Sequence, residues 1–428
     1  MSTTPQSQPV KAAAAAFVGT ALEWYDFYIY GFASALVFAK LFFTTQSAFV
    51  GLMASFATFA IGFIFRPLGA IVFGHLGDKF GRQKTLVMTL FLMGTATVGI
   101  GCLPSYETAG VLAPILLILL RICQGMAVGG DWGGAVLIAA EHAPKKHKIF
   151  YASFAQWGSP AGLIAATLIF RAISSLPEED LLSWGWRIPF LVSCILIVAG
   201  LLIRRSVQES PVFLEAAKRE AEKVRLPVKE VFTKVPRLLL LTVGANIMGV
   251  GGYYFTNTFM TAYTTQYLGI TRDTIMSALF FVALCQFIVQ PIAAYVGERF
   301  GVHRWMLLST AASIVVPYIM YPLVGSGSFF LLTLGICLAI TAICSCYAVI
   351  AGYMTKLYAP QYRYTGISLG FQLCGAIFAS ITPLLGTTIA EYFPGEWLPL
   401  AFVYSCYAII GFTCIWFLGP KHTTLYED

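Results

Sequence analysis

The stretch Gly74-His75-Leu76-Gly77-Asp78-Lys79-Phe80-Gly81-Arg82-Gln83-Lys84 has a counterpart later in the chain. The second copy, Ala294-Tyr295-Val296-Gly297-Glu298-Arg299-Phe300-Gly301-Val302-His303-Arg304, lies 220 positions further on. In both, a small residue, a glycine, an acid, a base, Phe, Gly and a terminal base fall in register. Each copy joins two long apolar runs. A second echo sets Ala143-Pro144 ahead of Lys145 and Lys146 against Ala359-Pro360 ahead of Arg363, at a spacing of 216. The chain therefore reads as a duplicated membrane unit of roughly two hundred residues, and duplicated membrane halves are the usual build of a secondary transporter.

Composition supports this reading. The 428 residues are 58% hydrophobic and 11% charged, with a mean hydropathy of +0.77. A helical span takes about 20 mostly apolar residues, so roughly twelve spans fit with short loops. Continuous apolar runs without alternation exclude a β-barrel, and a helix satisfies its own backbone in lipid. The spans are expected at 12–38, 49–76, 85–103, 109–140, 149–174 and 187–205, then 238–268, 274–297, 305–323, 328–357, 364–390 and 397–419. The predicted fold is an all-α polytopic membrane protein, with twelve transmembrane helices in two pseudo-symmetric six-helix bundles, residues 1–205 and 238–428. Residues 206–237 carry Glu215, Lys218, Arg219, Glu220, Glu222 and Lys223. Mixed charges at helical spacing predict an amphipathic cytoplasmic linker helix there.

Of the 27 Lys and Arg residues, all but Lys40, Arg66, Arg121, Arg171, Arg187 and Arg272 fall on the termini or the even-numbered loops. The odd-numbered loops instead carry Glu107, Glu178, Glu179, Asp180, Glu391 and Glu396. The positive-inside rule then puts both termini in the cytoplasm, with the chain multi-pass in the inner (plasma) membrane. The net charge of +7 is thus topological, and no nucleic-acid partner is expected. No cleavable signal is expected either, since the first apolar run is too long for one and carries Glu23 and Asp26. The ten cysteines lie almost entirely in apolar runs, without a CxxC pair or Cys/His cluster. They read as small buried hydrophobes, not as disulfides or metal ligands. No nucleophile, metal-ligand or acid/base cluster points to an enzyme, a metal or a cofactor. An ion channel would show pore rings and subunit repetition; this chain shows intrachain duplication and isolated charges. The expected partners are a small-molecule substrate, a proton and the lipid bilayer, with a monomer as the functional unit.

Charges inside a membrane are expensive and tend to be functional. Glu23 and Asp26 fall in span 1, Arg66 in span 2, and Arg121 and Asp131 in span 4, whereas the second half has none in its helix interiors. Asp26 and Arg121 lie at comparable depth, so a carboxylate and a guanidinium can pair. One reading is a proton site in which protonating Asp26 releases Arg121; the other is a static ion pair. Glu23, Asp26 and Tyr30, at i, i+3 and i+7, share one face of span 1. Arg66 precedes Pro67 and suits bidentate binding of a substrate carboxylate, or else pairs with a neighbouring acid. Gln124, Gln156 and Trp157 in the first half, and Tyr254, Asn257, Gln290 and Gln372 in the second, are candidate substrate contacts. The bland alternative for each is an interhelical hydrogen bond. Gly125, Gly129 and Gly133, with Gly130 and Gly134, give span 4 a face for close or sliding helix packing.

The same residues carry a resemblance. The loop pattern G-x-x-x-D-[RK]-x-G-[RK]-x-[RK] of the major facilitator superfamily is met by Gly74, Asp78, Lys79, Gly81, Arg82 and Lys84, and in part by the second copy. Glu23-Trp24-Tyr25-Asp26-Phe27, Phe65-Arg66-Pro67-Leu68-Gly69, Arg121 through Gly134, Trp184 through Phe190 and Glu209 through Phe213 are similar to segments of its metabolite:proton symporter family. That family includes shikimate, α-ketoglutarate, citrate and proline/betaine transporters. Asp131 stands where many relatives carry Glu. The resemblance implies alternating access. By similarity to proton-coupled sugar porters, it also implies that Asp26 works with Arg121. The embedded arginines favour an organic acid anion over a zwitterion such as betaine or proline. The short tail 419–428 points the same way, because it leaves no room for the coiled-coil extension of some osmosensing relatives.

The duplicated loop suggests a cytoplasmic gate made of Gly74, Asp78, Gly81, Arg82, Glu141, Glu298 and Arg299. The helix N-terminus near Arg363 carries unpaired N–H groups and a partial positive charge. Asp78 is placed to face it, Glu298 to face the start of span 5, and Arg82 to hold Asp78 with Glu141 as a further partner. The alternative is that Asp78 caps its own loop.

Overall fold

The computed structural model describes residues 9–43, 47–80, 82–144, 148–205, 227–358 and 363–419. Among them every regular element is helical. Spans 1, 3, 5 and 6 are Pro9–Leu36, Arg82–Gly101, Lys148–Ser174 and Ile188–Arg205. Span 2 runs Ala48–Ile64 and continues as Arg66–Phe80, and span 4 runs Leu112–Gly129 and then Trp132–Glu141. Spans 8, 10 and 12 are Arg272–Phe300, Phe329–Met354 and Leu398–Leu418.

Eight described helices are long and apolar enough to cross a membrane, and span 9 makes a ninth, as Val302–Val315 and Pro317–Val324 bent by 45°. The bend falls at Pro317, where the ring removes a backbone donor. Spans 1 and 5 cross without being apolar throughout, because protein surrounds them. They pack along each other, and span 5 also lies against span 8. A helix enclosed by protein need not match lipid and can carry Glu23, Asp26 and Gln156.

Spans 7 and 11 depart from the continuous helices expected of them. Span 7 starts as Pro236–Ala245 and then widens into π-turns at Met248–Gly252, Phe255–Phe259 and Tyr263–Tyr267. Span 11 widens once, at Gly375–Ala379, between Arg363–Cys374 and Ser380–Tyr392. Such turns re-aim side chains and recur at functional sites. The apolar stretch of span 7 is 83% buried, so it faces protein and not lipid.

The halves meet where span 5 packs on span 8 and span 2 on span 11. Near the duplicated loops, Trp132 stacks on Phe371 with centroids 4.0 Å apart. On the opposite side Glu178 contacts Lys40 and lies 3.9 Å from Arg272. Lys40 holds this exposed carboxylate below its usual range by a hydrogen bond and by its charge. Of the linker, the described part is Pro227–Lys234, whose Val231 packs on Leu239 and Leu369. The charged run from Glu215 to Lys223 lies outside the described residues. Cys102 and Cys194 are exposed, unlike the other described cysteines; for these two the expected burial inside the protein does not hold.

Candidate functional site

Five carboxylates and guanidiniums are buried among the described residues, and all lie in the first half: Glu23, Asp26, Arg66, Arg121 and Asp131. Asp131 stands apart from the other four, near the Thr89 hydroxyl at 3.5 Å.

Asp26 and Arg121 do not form the direct pair expected from their depths. Asp26 Oδ2 accepts from Thr97 Oγ1 and Oδ1 from Ser193 Oγ, both at 2.8 Å. Arg121 instead donates through Nη1 to Gln124 Oε1 at 2.9 Å. Gln124 Nε2 then donates to Thr97 Oγ1 at 2.6 Å. Acid and base are therefore joined by a relay, Asp26–Thr97–Gln124–Arg121. Equal depth says nothing about azimuth, and helix rotation has turned Asp26 toward spans 3 and 6. Each hydroxyl can donate to a carboxylate or accept from a carboxylic acid. Thr97 has a second acceptor to turn to, Met93 O at 2.9 Å.

Aromatic faces hold both arginines. The Arg66 guanidinium carbon lies 4.0 Å from the Phe27 centroid and 4.2 Å from that of Phe63. That of Arg121 lies 4.4 Å from Phe27 and 3.9 Å from Tyr30. Phe27 thus separates two like charges and interacts with both. Desolvated cation–π contacts contribute about 2 kcal/mol each, which offsets only part of the cost of burying a guanidinium. Glu23, Tyr254 and Tyr347 lie within electrostatic reach of Arg66. Arg66 Nε has no hydrogen-bond partner, and the Tyr254 hydroxyl lies beside the Arg66 guanidinium.

The remaining candidates divide by the state of their polar atoms. Tyr30 donates to Thr58 Oγ1 at 2.7 Å. Gln156 accepts from Trp132 Nε1 at 3.0 Å and donates to Tyr347 O at 3.4 Å. Trp157 donates to Phe287 O at 2.9 Å, tying span 5 to span 8. These three side chains and Gln124 are engaged by protein. By contrast, Asn257 Oδ1 and every polar side-chain atom of Gln290 and Gln372 lack a partner. Of the gate residues, Gly81 lies outside the described residues, and Gly74, Asp78, Arg82 and Glu141 fall at the ends of the helices Arg66–Phe80, Arg82–Gly101 and Trp132–Glu141, where the backbone alone is described. Glu298 is half-buried near the end of span 8, and Arg299 is exposed with its guanidinium over Tyr295.

Sequence reasoning named Tyr254 but missed its neighbours Tyr347 and Phe63. Trp24 lies 5.7 Å from Tyr253, 6.1 Å from Tyr254 and 6.4 Å from Tyr347, and Phe63 lies 5.0 Å edge-on to Tyr254. Tyr347 sits among small residues, Cys344, Ser345, Cys346 and Ala348; a lone large polar ring in such a run was the available signal.

A buried relay joining acid and base inside one half of a two-half helical chain suits a carrier, and comparison with known proteins decides the family. Residues 11–226 match the family model "Sugar (and other) transporter", and residues 242–427 match "Major Facilitator Superfamily". The shikimate transporter of Escherichia coli K12 is 37% identical over 399 residues, 92% of this chain and 91% of that protein. The chain belongs to the major facilitator superfamily. As a member it is a multi-pass membrane transporter and not an enzyme. The E. coli K12 proline/betaine transporter is 34% identical over 411 residues, 94% of this chain and 81% of that one. The fold of this superfamily member is also that of a D-xylose–proton symporter, with a TM-score of 0.76 at 16% identity, covering 96% of this chain and 98% of that one.

Proposed function

We propose that this protein imports a small monocarboxylate anion with one proton across the inner membrane, its termini in the cytoplasm, through a site that opens to one side at a time. The supporting observation is the charge count of the buried cluster. Glu23, Asp26, Arg66 and Arg121, all at most 3% exposed, sum to zero when ionised. A proton on Asp26 leaves +1, and a bound monoanion alone leaves −1. Proton and monoanion together restore neutrality. Burying an uncompensated ion costs several kcal/mol, so the half-loaded carrier closes at least about 100-fold less readily than the empty or the fully loaded one. Coupling then follows from electrostatics, with the Thr97 and Ser193 hydroxyls satisfying Asp26 in either state. Arg66 is the substrate's carboxylate partner.

Arg66→Lys keeps the charge but loses the planar fork and its stacking. Carboxylate binding should weaken by roughly 10- to 100-fold, the worth of about 1.5–3 kcal/mol for a charged hydrogen bond, with expression preserved. Calorimetry on purified protein measures it, and unchanged affinity removes Arg66 from the site.

A second reading is favoured by the rings of Trp24, Tyr253, Tyr254 and Tyr347 near Glu23, since aromatic faces also suit the quaternary ammonium of a zwitterion. The driving force separates the two. Monoanion plus proton carries no net charge, whereas zwitterion plus proton carries one. In proteoliposomes offered a panel of labelled organic acids and osmolytes, a pH gradient alone should drive accumulation, and an inside-negative potential alone should not. One charge moved through 100 mV is worth about 2.3 kcal/mol, or about 50-fold in accumulation. Accumulation driven by potential alone would replace the anion with the zwitterion.

A further inference from the structure

Cys285, near the middle of span 8, and Cys337 on span 10 share a hydrogen bond between their thiols. The Cys285 sulfur also lies 3.7 Å from Thr341 Oγ1. Thr341 stands one turn beyond Cys337, so one stripe of span 10 presents an S–H and an O–H to the same sulfur. Both cysteines are free and half-buried. Their helix neighbours Phe281 and Ile288 on span 8, and Leu334 and Leu338 on span 10, are exposed. Exposed apolar side chains at this depth form the surface that lipid covers. The pair therefore lies on a seam between two helices that opens to hydrocarbon and not to water. Cys344, two turns beyond Cys337, is buried and hydrogen-bonds Tyr253, away from that seam.

Far apart in the chain, the two cysteines read in sequence as inert hydrophobes. Their contact and their surroundings give them a specific chemistry. Thiols ordinarily react as thiolates, and a thiolate here would carry the cost of an ion taken out of water. Disulfide exchange and attack on water-borne oxidants, which start from the anion, are disfavoured in such a place. A route without ions remains. We propose that Cys285 and Cys337 are a redox modification site, joined as a disulfide by a lipid-soluble two-electron oxidant of the quinone class. Both S–H bonds break and one S–S bond forms. Two electrons and two protons pass to the quinone, which leaves as the hydroquinone. Every species is neutral before and after. The sulfurs close from hydrogen-bond contact to a bond of about 2.05 Å. That bond ties span 8 to span 10 beside Phe287, whose carbonyl accepts the Trp157 N–H of span 5, so it fixes the second half where it meets the first. The site is independent of which substrate is carried.

The test uses the full-length protein in proteoliposomes, incubated with tetramethyl-1,4-benzoquinone, whose ring has no open position for a thiol to add to. Peptide mapping by mass spectrometry should find Cys285 joined to Cys337 within one chain in most of the protein. After extraction into detergent, the oxidised protein should melt several degrees higher, and dithiothreitol should reverse the rise. The bond closes a loop of about fifty residues and so restricts the unfolded chain. Tetrathionate, a thiol oxidant that lipid excludes, should join the pair at least tenfold more slowly. Cys285→Ser and Cys337→Ser should each abolish both the bond and the rise; Cys285→Ala and Cys337→Ala replace them if serine lowers the melting temperature of the reduced protein. Cys344→Ser should keep both. Free thiols at Cys285 and Cys337 after the quinone, a bond from either to another cysteine or to a second copy of the chain, or equal reaction with tetrathionate overturns the site.

Discussion

Replacing Asp26 by Asn should abolish proton-driven accumulation while leaving exchange of substrate across the membrane. Asn matches the size of Asp and can still hydrogen-bond Thr97 Oγ1 and Ser193 Oγ, each 2.8 Å from the native carboxylate, so the fold around it is retained. It cannot ionise. The buried cluster then carries +1 when empty and zero when a monoanion is bound. The loaded carrier still closes and reopens, which is all that exchange requires. The empty carrier pays several kcal/mol to return, so net uptake slows by about 100-fold, and the steady-state ratio falls to that set by the substrate gradient alone. Asp26→Glu keeps a titrating group and should recover part of the accumulation. Counterflow and pH-driven uptake, measured on one preparation of proteoliposomes, read both quantities. An Asn variant that still concentrates substrate would show that the coupling proton rides elsewhere.

Gly129→Ala should damage the protein severely, as any methyl group added at the contact of this helix pair would. A Cβ built there lies 1.9 Å from the Arg66 carbonyl oxygen and 2.8 Å from the Ala70 nitrogen. The approach is mutual, since a Cβ on Gly69 would sit 1.9 Å from Met126 O and one on Gly125 would sit 2.2 Å from Gly62 O. Spans 2 and 4 thus touch backbone to backbone, and no rotamer change can make room. The helices must separate, at a cost of roughly 3 kcal/mol or more, the upper end for overpacking. Because Arg66 and Arg121 ride on these two helices, their stacking on Phe27 is lost with the contact. We expect a several-fold lower yield of monodisperse protein and a lower melting temperature. Gly325→Ala, whose nearest neighbour is Tyr321 O at 3.5 Å, is the control and should behave as wild type. Equal melting of the Gly129 and Gly325 variants would contradict the backbone contact.

The sequence by itself determined the number and class of the spans and the half that holds the charges. The doubled loop at Gly74 and Ala294 reports a duplication, and mean hydropathy reports a solvent, and both are readable in one dimension. It also placed Glu23, Asp26, Arg66 and Arg121 inside the membrane, because an ionisable residue in an apolar run has nowhere else to go. Tertiary structure decided what each of these residues meets. Successive residues turn by about 100° around a helix, so depth is read along the chain, whereas azimuth is set by the neighbours a helix packs against. Asp26 and Arg121 share a depth, yet Thr97 and Gln124 stand between them. The same rule separated the amides. Gln124, Gln156, Gln290 and Gln372 look alike as polar residues in apolar runs, but only the rotation of each helix against its neighbours settles which of them find a protein partner and which do not.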